Sequence, residues 1–495
     1  MYLPPILLKI SYALKSKGAS AVLVGGAVRD MLLGIPVKDY DIEVYGLQKV
    51  EELEAILGRF GSVNCVGKSF GVVKLKSGMW EFDFSFPRRE CKSGKGHRGF
   101  DVSVDGTLDF KTAARRRDFT INAIGYEIQT CSLIDPFGGV EDIQKRYLRH
   151  IDADTFVEDP LRVYRAVQFA ARFGFKVAHE TAVLCKKMVA GEMLDELPKE
   201  RVYEEWKKLF LKADKPSVGL ELMREWGITA RYFPELHALI GVPQDPKWHP
   251  EGDVWVHTMM VVDAMAEIMS REQGVGSRED KERLKLLFAA LCHDFGKPAT
   301  TTIEYEDGKI EKWHPINKSV SLETHTNTLH SSLFTLHSKI RAIGHEKAGL
   351  EPTKSFLYRL TNEHDFIENI LPLVEHHLKP SQFYAQGAKA GAIRRLATKV
   401  NIEALVYVAK ADFLGRTTPK AATGRYEAGE WLLDEAKKLA VEHSPVKPLL
   451  QGRDLIALGL VPSPQFGAIL QRVYEAQMDG KITTKEEALS FVKNL

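Results

Sequence analysis

The sequence predicts an α+β protein: a small mixed α/β domain first, then a long and mostly helical remainder. Three observations carry that prediction. Over residues 1–150 short apolar runs alternate with turn signals. From about residue 155 apolar residues recur every three or four positions, the period of amphipathic helices. A chain of 495 residues also exceeds what one hydrophobic core can hold, so two to four domains are expected.

In the first domain AVLVGG (21–26), DIEVYG (41–46), GVVKLK (71–76) and EFDFSF (81–86) read as strands, with helices expected over 27–34, 48–59 and 110–124. LRVYRAVQFAARFGF (161–175) and ERVYEEWKKLFL (200–211) then read as amphipathic helices. The stretch GVPQDPKWHPEGD (241–253) marks a domain entry, and HSPVKPLLQGRD (443–454) introduces a small helical tail. The expected division is 1–150, 151–240, 241–442 and 443–495.

The composition, 44% hydrophobic, is that of a globular protein, and the longest apolar runs fall short of a membrane span. The apolar N-terminus lacks a basic leader and is interrupted by Lys9, so it reads as part of the fold. Five scattered cysteines (65, 91, 131, 185 and 292) with no CxxC pair argue for a reducing cytoplasm and against a zinc ribbon. The net charge of +2 decides nothing, but basic clusters at Arg88-Arg89, Lys92–Arg98 and Arg115–Arg117 point towards a polyanionic partner. No obligatory protein partner is evident.

Gly25 and Gly26 follow the first strand and precede Arg29. Glycines there let backbone N–H groups approach a phosphate, and Arg29 can add a charge-assisted bond. Asp39 and Asp41 follow, two apart, so on a strand their carboxylates share a face. Adjacent carboxylates repel unless a cation lies between them, and Mg²⁺ suits hard oxygen ligands completed by phosphates. A third carboxylate, Asp83 or Glu81, lies on EFDFSF opposite the Phe82, Phe84 and Phe86 face. Such a trio could hold two ions for in-line attack on an α-phosphate.

Later segments extend the pattern: Arg116-Arg117-Asp118-Phe119-Thr120-Ile121-Asn122-Ala123, DPFGG (135–139), and Glu158-Asp159-Pro160-Leu161-Arg162-Val163-Tyr164-Arg165. From about 20 to 215 the chain resembles the polymerase-β-type nucleotidyltransferases of the class II CCA-adding enzyme and bacterial poly(A) polymerase family. The resemblance implies that Arg116, Arg117, Asp118 and Asn122 contact ribose and triphosphate. It implies that Asp159 and Arg162 read the Watson–Crick edge of an incoming CTP or ATP, with Arg165 reaching the nucleotide or holding that pair. It implies addition of CMP, CMP and AMP to a tRNA 3′-hydroxyl. Residues 87–110 form a long polar loop between the last head strand and the RRD motif, where the family has a flexible loop that helps the site switch from C to A. The loop is not shortened here, which favours full CCA addition over a CC-adding, A-adding or poly(A)-adding enzyme.

A second constellation follows. His257, the pair His293-Asp294 and Asp412 fall in that order on helical stretches, with His345, His376 and His377 between. This order resembles the HD superfamily, whose imidazole and carboxylate ligands hold a divalent metal for phosphoester hydrolysis. The flanking WHPEGDVWVHT and LFAALCHDFGKP are similar to the HD portion of longer bacterial CCA-adding enzymes, which implies phosphatase, 2′-nucleotidase or cyclic phosphodiesterase chemistry. The rival of another class is an HD phosphohydrolase whose head only binds RNA.

Overall fold

A computed structural model describes residues 3–37, 39–66, 72–92, 100–271, 280–305, 307–314 and 339–495. Most of the Lys92–Arg98 cluster lies outside them. The chain forms two compact units, Met1–Leu209 with Val218–Ile228, and Phe210–Ser217 with Thr229–Leu495.

The first unit is built on a seven-stranded sheet of order β3-β4-β5-β2-β1-β8-β9. Its strands are β1 (Ser20–Val24), β2 (Tyr40–Tyr45), β3 (Ser62–Val66), β4 (Val72–Ser77), β5 (Trp80–Ser85), β8 (Gly125–Glu127) and β9 (Ser132–Ile134). All neighbours are antiparallel except β2 and β5. The alternation of EFDFSF has its expected result: Phe82, Phe84 and Phe86 are fully buried, while Glu81 and Asp83 face the other way. Each buried ring contributes roughly 2–3 kcal/mol, so a one-residue slip of β5 would expose all three, and the register is firmly set.

Two expectations change. The helix expected over 110–124 is only Phe110–Ala114, followed by a 3₁₀ turn at Thr120–Asn122. Asp118 accounts for the break: its carboxylate accepts the Phe119 backbone N–H at 2.8 Å, a donor a continued helix would have used, and is fixed there by the Asn122 side-chain amide at 2.9 Å. The 87–110 segment is not simply a loop. It contains the antiparallel pair β6 (Arg88–Lys92) and β7 (Phe100–Val104), with residues 93–99 between them outside the described part.

After the head come helices Leu161–Phe173, His179–Ala190 and Lys199–Lys212, with a short parallel pair, β10 (Tyr147–Leu148) and β11 (Lys176–Val177). The long apolar face of Leu161–Phe173 buries Leu161, Val163, Tyr164, Val167 and Phe169.

The second unit is helical around Val254–Arg271, Asp280–Cys292, His364–His376 and Ile402–Leu414. It departs from an all-helical reading in one place, a three-stranded sheet of β12 (Thr302–Glu304), β13 (Ile310–Lys312) and β14 (Lys339–Arg341). These strands are three residues long, too short for a period to register in sequence. The tail from Gly452 packs helices Gly452–Ala457, Gln465–Met478 and Lys485–Lys493 on a core including Leu455, Val473 and Ile482. Among the described residues no helix is long and apolar enough to cross a membrane.

Candidate functional sites

The parallel pairing of β2 with β5 puts Asp41 directly opposite Asp83. Asp39 lies one residue before β2, exposed, and Asp41 is exposed beside it. Glu81 shares Asp83's face but lies opposite Lys76, with which it pairs at 3.2 Å. Register therefore brings Asp83, not Glu81, to Asp41. Loss of hydration among the surrounding protein raises the Asp41 carboxyl above its ordinary value, Arg117 opposes this, and the Asp83, Asp39 and Glu43 charges add to it. That crowding of acids is what a divalent cation relieves, so the residues fit one. Lys74 Nζ touches Asp83 at 3.1 Å, but both groups are substantially exposed, so the contact is worth under about 1 kcal/mol and exchanges easily.

Beside the acids stands a cationic wall. Arg117 and Arg116 reach Glu43 Oε1 at 2.8 and 3.2 Å. Glu43 is buried, which alone would raise its pKa, but Arg117 and Arg116 hold it below the usual range. Sequence reading passed over Glu43. The signal was present, because it continues the i, i+2 series Asp39, Asp41, Glu43 on one strand face.

Gly25 has φ +68°, a conformation open to glycine, and a Cβ there would lie 2.9 Å from Arg117 Nη1. Gly25→Ala is expected to cost about 1–2 kcal/mol and to displace Arg117. A weakened triphosphate affinity with a lowered thermal midpoint would bear this out; unchanged values would refute it. Gly26 begins the following helix, Gly26–Leu32.

Arg29 differs from its expected placement. It is buried, donates to Asp30 at 2.6–2.8 Å and to Asn122 Oδ1 at 2.6 Å, and stacks within 5.2 Å of the Phe169 and Phe173 rings. It is thus built into the frame rather than extended as a free phosphate arm. From Arg29 a hydrogen-bonded chain runs through Asn122 and Asp118 to Arg165, which meets Asp118 Oδ2 at 2.6 Å. Arg165 therefore braces Asp118. Burial would raise the Asp118 carboxyl, but Arg165 and Asn122 hold it below the ordinary range. A depressed folded pKa gives stability that is present above the unfolded value of about 3.9 and lost as pH falls through the folded one. Asp118→Asn is expected to flatten that acid limb of the stability curve, read by denaturant titration from pH 5 downwards.

Asp159 and Arg162 stand at the start of the Leu161–Phe173 helix but do not pair with each other. Asp159 is gripped by Arg201, at 3.1 and 3.4 Å, and accepts the Leu161 N–H at 3.2 Å. Arg162 donates to the carbonyls of Thr155 at 2.8 Å and Arg116 at 2.6 Å. Arg201, 42 residues from Asp159, gave no local signal in sequence.

In the second unit four imidazoles and two carboxylates converge. His293, His345 and His377 each direct Nδ1 at a backbone carbonyl at 2.7 Å, those of Ala290, Ala342 and Val374. His257 directs Nδ1 at Glu251 Oε1 at 2.8 Å. Carbonyls and carboxylates only accept, so each Nδ1 carries a proton, and in the neutral ring each Nε2 presents a lone pair. Those lone pairs face other acceptors. His257 Nε2 is 3.1 Å from Asp412 Oδ1, His293 Nε2 is 3.1 Å from Asp294 Oδ2, and His345 Nε2 is 3.3 Å from both Asp294 Oδ1 and His377 Nε2.

Burial pushes His377 down to about 3, so its ring keeps the lone pair at neutral pH. Burial would do the same to His257, but Asp412 and Glu251 pull it up, which measures how strongly those carboxylates call for positive charge at that ring. Asp294 Oδ2 also meets Lys297 Nζ at 2.6 Å, so this buried carboxylate is held between an ammonium and the imidazoles. These converging imidazole and carboxylate atoms fit a divalent cation.

Among the described residues three groups of donors lie close enough to share an ion: His249, Glu251 and His257, and, around the aspartate, two sets, His257 with His293 and Asp294, and Asp294 with His345 and His377. Asp294 serves both, one oxygen towards each. His376 stands apart: its nearest charged partner is Glu375 at 3.9 Å, and it joins neither set. Consecutive residues on a helix point about 100° apart, so both rings are buried but only His377 reaches the cluster. Gly296 makes the convergence possible, since a Cβ there would lie 2.0 Å from the His345 carbonyl oxygen. Sequence reading missed Glu251, which also accepts from His249 Nδ1 at 2.9 Å and from Thr417 N at 3.1 Å. A cavity of about 220 Å³ opens onto the cluster, lined by Asp294, His345, His377 and Asp412 and by the cations Lys297, Arg341 and Arg416.

Residues 21–149 match the family model described as "Poly A polymerase head domain", 174–240 "Probable RNA and SrmB- binding site of polymerase A", and 254–416 "HD domain". The multifunctional CCA protein of Xylella fastidiosa is 34% identical over 406 residues, covering 80% of this chain and 83% of that protein. That of Stenotrophomonas maltophilia is 42% identical over 287 residues, covering 57% of this chain, and that of Vibrio vulnificus 40% over 291 residues, covering 58%. Those two alignments span 65% and 66% of the relatives' own lengths. Among solved structures, a CCA-adding enzyme from Bacillus stearothermophilus in complex with CTP aligns with a TM-score of 0.62 at 21% identity, covering 99% of this chain and 98% of that one. One from Thermotoga maritima complexed with tRNA aligns with a TM-score of 0.56 at 20% identity, covering 99% and 96%. At those identities the structures establish a shared fold.

Proposed function

This chain belongs to the family of the multifunctional CCA proteins, and on that premise we propose that it adds CMP, CMP and AMP stepwise to a tRNA 3′ end and hydrolyses phosphoesters at its HD site. The observation that carries the first activity is the in-register pair Asp41 and Asp83 on adjacent parallel strands, beside Arg116 and Arg117.

Asp39, Asp41 and Asp83 would hold Mg²⁺, which when bound supplies Lewis-acid stabilisation of charge on the transferring phosphoryl group. Arg116 and Arg117 orient the triphosphate, and Gly25 leaves Arg117 room. Arg29, Asn122, Asp118 and Arg165 fix the frame on which those groups stand. Asp159 offers acceptors and Arg162 donors to the Watson–Crick edge of CTP or ATP. Both are already anchored by protein partners, so their geometry is set before the base arrives, which favours discrimination.

Arg201 is a positioning residue in this reading. Arg201→Ala is expected to reduce preference for the correct nucleotide about tenfold, the worth of a charge-assisted hydrogen bond, while Arg201→Lys recovers part of it. Unchanged nucleotide choice in Arg201→Ala would remove Arg201 from the selecting group.

At the second site His257, His293, Asp294, Asp412, His345 and His377 would hold one or two divalent ions. A bound ion supplies polarisation of a phosphoryl oxygen. Lys297, Arg341 and Arg416 take up phosphate charge, and Glu251 fixes the ring of His257.

The test is incubation with Mg²⁺ and a tRNA lacking its 3′ CCA, given CTP, ATP or both. Two C residues from CTP alone, and a terminal A only with both, would establish CCA addition. Stopping at CC, adding only A, or making a long A tail would each identify a narrower polymerase. No addition with phosphate release still detectable would leave the HD site as the activity.

A further inference from the structure

The loop leading into the second unit's site is unusually well fastened. The Asp245 carbonyl accepts the N–H groups of Trp248 and His249 at 3.0 and 2.9 Å, and its carboxylate accepts Lys247 N at 2.9 Å. Asp253 closes the loop's base, accepting Gly241 N at 2.7 Å and Val256 N at 2.9 Å. These bonds hold Trp248 at the rim of the cavity it lines, with 56% of its surface exposed. A single exposed indole is ordinary by itself; what sets this one apart is its place in the lining of the cavity beside the histidine–aspartate cluster.

The cavity sets what the occupant must be. About 220 Å³ is below the ~300–1,000 Å³ that encloses a whole drug-sized ligand, so only part of a substrate enters. Lys297, Arg341 and Arg416 line it together with Asp245, Asp294 and Asp412; Lys297 meets Asp294 at 2.6 Å and Arg416 meets Asp412 at 2.8 Å, which leaves Arg416 Nε without a hydrogen-bond partner. With the cluster as a phosphoester site, the part that enters is a phosphoryl group. The part that stays outside lies against Trp248, where Lys247 Nζ is 5.5 Å from the ring centroid. A flat, electron-rich ring system is favoured there by stacking and by the neighbouring cation.

We propose that Trp248 is the stacking platform for the base of a ribonucleotide whose phosphate occupies the HD cavity, so that this site distinguishes nucleotides from other phosphoesters. The proposal rests on the reading of the histidine–aspartate cluster as a phosphoester site.

Phosphate release is measured for the metal-loaded full chain, Trp248→Ala and Trp248→Phe, from adenosine 3′-monophosphate and from ribose 5-phosphate, which has no base. The expected result is a KM for adenosine 3′-monophosphate raised about tenfold in Trp248→Ala, with kcat and the ribose 5-phosphate KM unchanged, and near-wild-type values in Trp248→Phe. A KM that rises equally for both substrates, or for neither, overturns the proposal. If the wild-type chain releases phosphate from neither, the hydrolytic reading fails by itself. Calorimetry then decides the platform: adenosine 3′-monophosphate binding about tenfold weaker in Trp248→Ala supports it, and equal binding overturns it. An oligoribonucleotide ending in a 3′-phosphate, run in parallel, separates the two sources of such a group. The same dependence on Trp248 assigns the platform to RNA ends, and dependence with the mononucleotide alone assigns it to free nucleotides.

Discussion

Asp41→Asn is expected to lower nucleotide addition by roughly 10³-fold, the scale on which loss of one preorganised charge stabiliser acts, and to do so without unfolding the head. Asp41 is the member of the acid trio that faces Asp83 across the parallel pair, and its carboxyl is raised by lost hydration and by the other acids. A raised folded pKa means the charged form is less comfortable in the folded protein than in the unfolded chain. Removing the charge therefore leaves the thermal midpoint of the metal-free protein unchanged or slightly higher. Mg²⁺ raises the midpoint of the wild type by binding the folded state, and raises that of Asp41→Asn less. Single-turnover incorporation and thermal melts with and without Mg²⁺ check both halves. Incorporation at the wild-type rate would sink the assignment, and lost activity accompanied by a large drop in midpoint would mean damage to the sheet instead.

Asp294→Asn is the counterpart in the second unit. Because Asp294 offers one oxygen to each of the two sets it joins, its loss affects both, whereas His293 or His377 belongs to one. Replacement of residues that merely support a metal ligand costs about 10–100-fold in affinity, so loss of a shared ligand should exceed about 100-fold. Metal content after dialysis should fall to background and phosphate release should become undetectable. Nucleotide addition should stay within about twofold of wild type, since the two sites share no residue. Glu251→Gln should fall between, weakening metal by the supporting-residue amount. Metal retained in Asp294→Asn would refute the cage, and joint loss of both activities would indicate misfolding.

Several features were legible because they depend on local pattern. The alternation of EFDFSF fixed which face of β5 is buried, and so put Asp83 on the polar face. The glycines after the first strand marked a turn that Gly25 indeed makes with positive φ. The order His257, His293-Asp294, Asp412 named residues that the fold brings together, as did His345 and His377. Periodicity could not say where a helix stops when a side chain competes for its N–H groups, which is why 110–124 was too long an expectation. Nor could it find strands of three residues.

What the sequence by itself determined is the class of the fold, the burial of each amphipathic face and the list of chemically able residues, because these follow from spacing along one chain. Tertiary structure alone decided how that list is used. The register of β2 against β5 selected Asp83 over Glu81. The turn of one helix selected His377 over His376. The folding of Arg29 onto Phe169, and of Arg201 onto Asp159, turned expected ligands and an unnoticed residue into parts of the frame. Apart from that helix turn, each of these is a contact between residues far apart in sequence. Such contacts depend on distances of a few ångströms that no local pattern encodes.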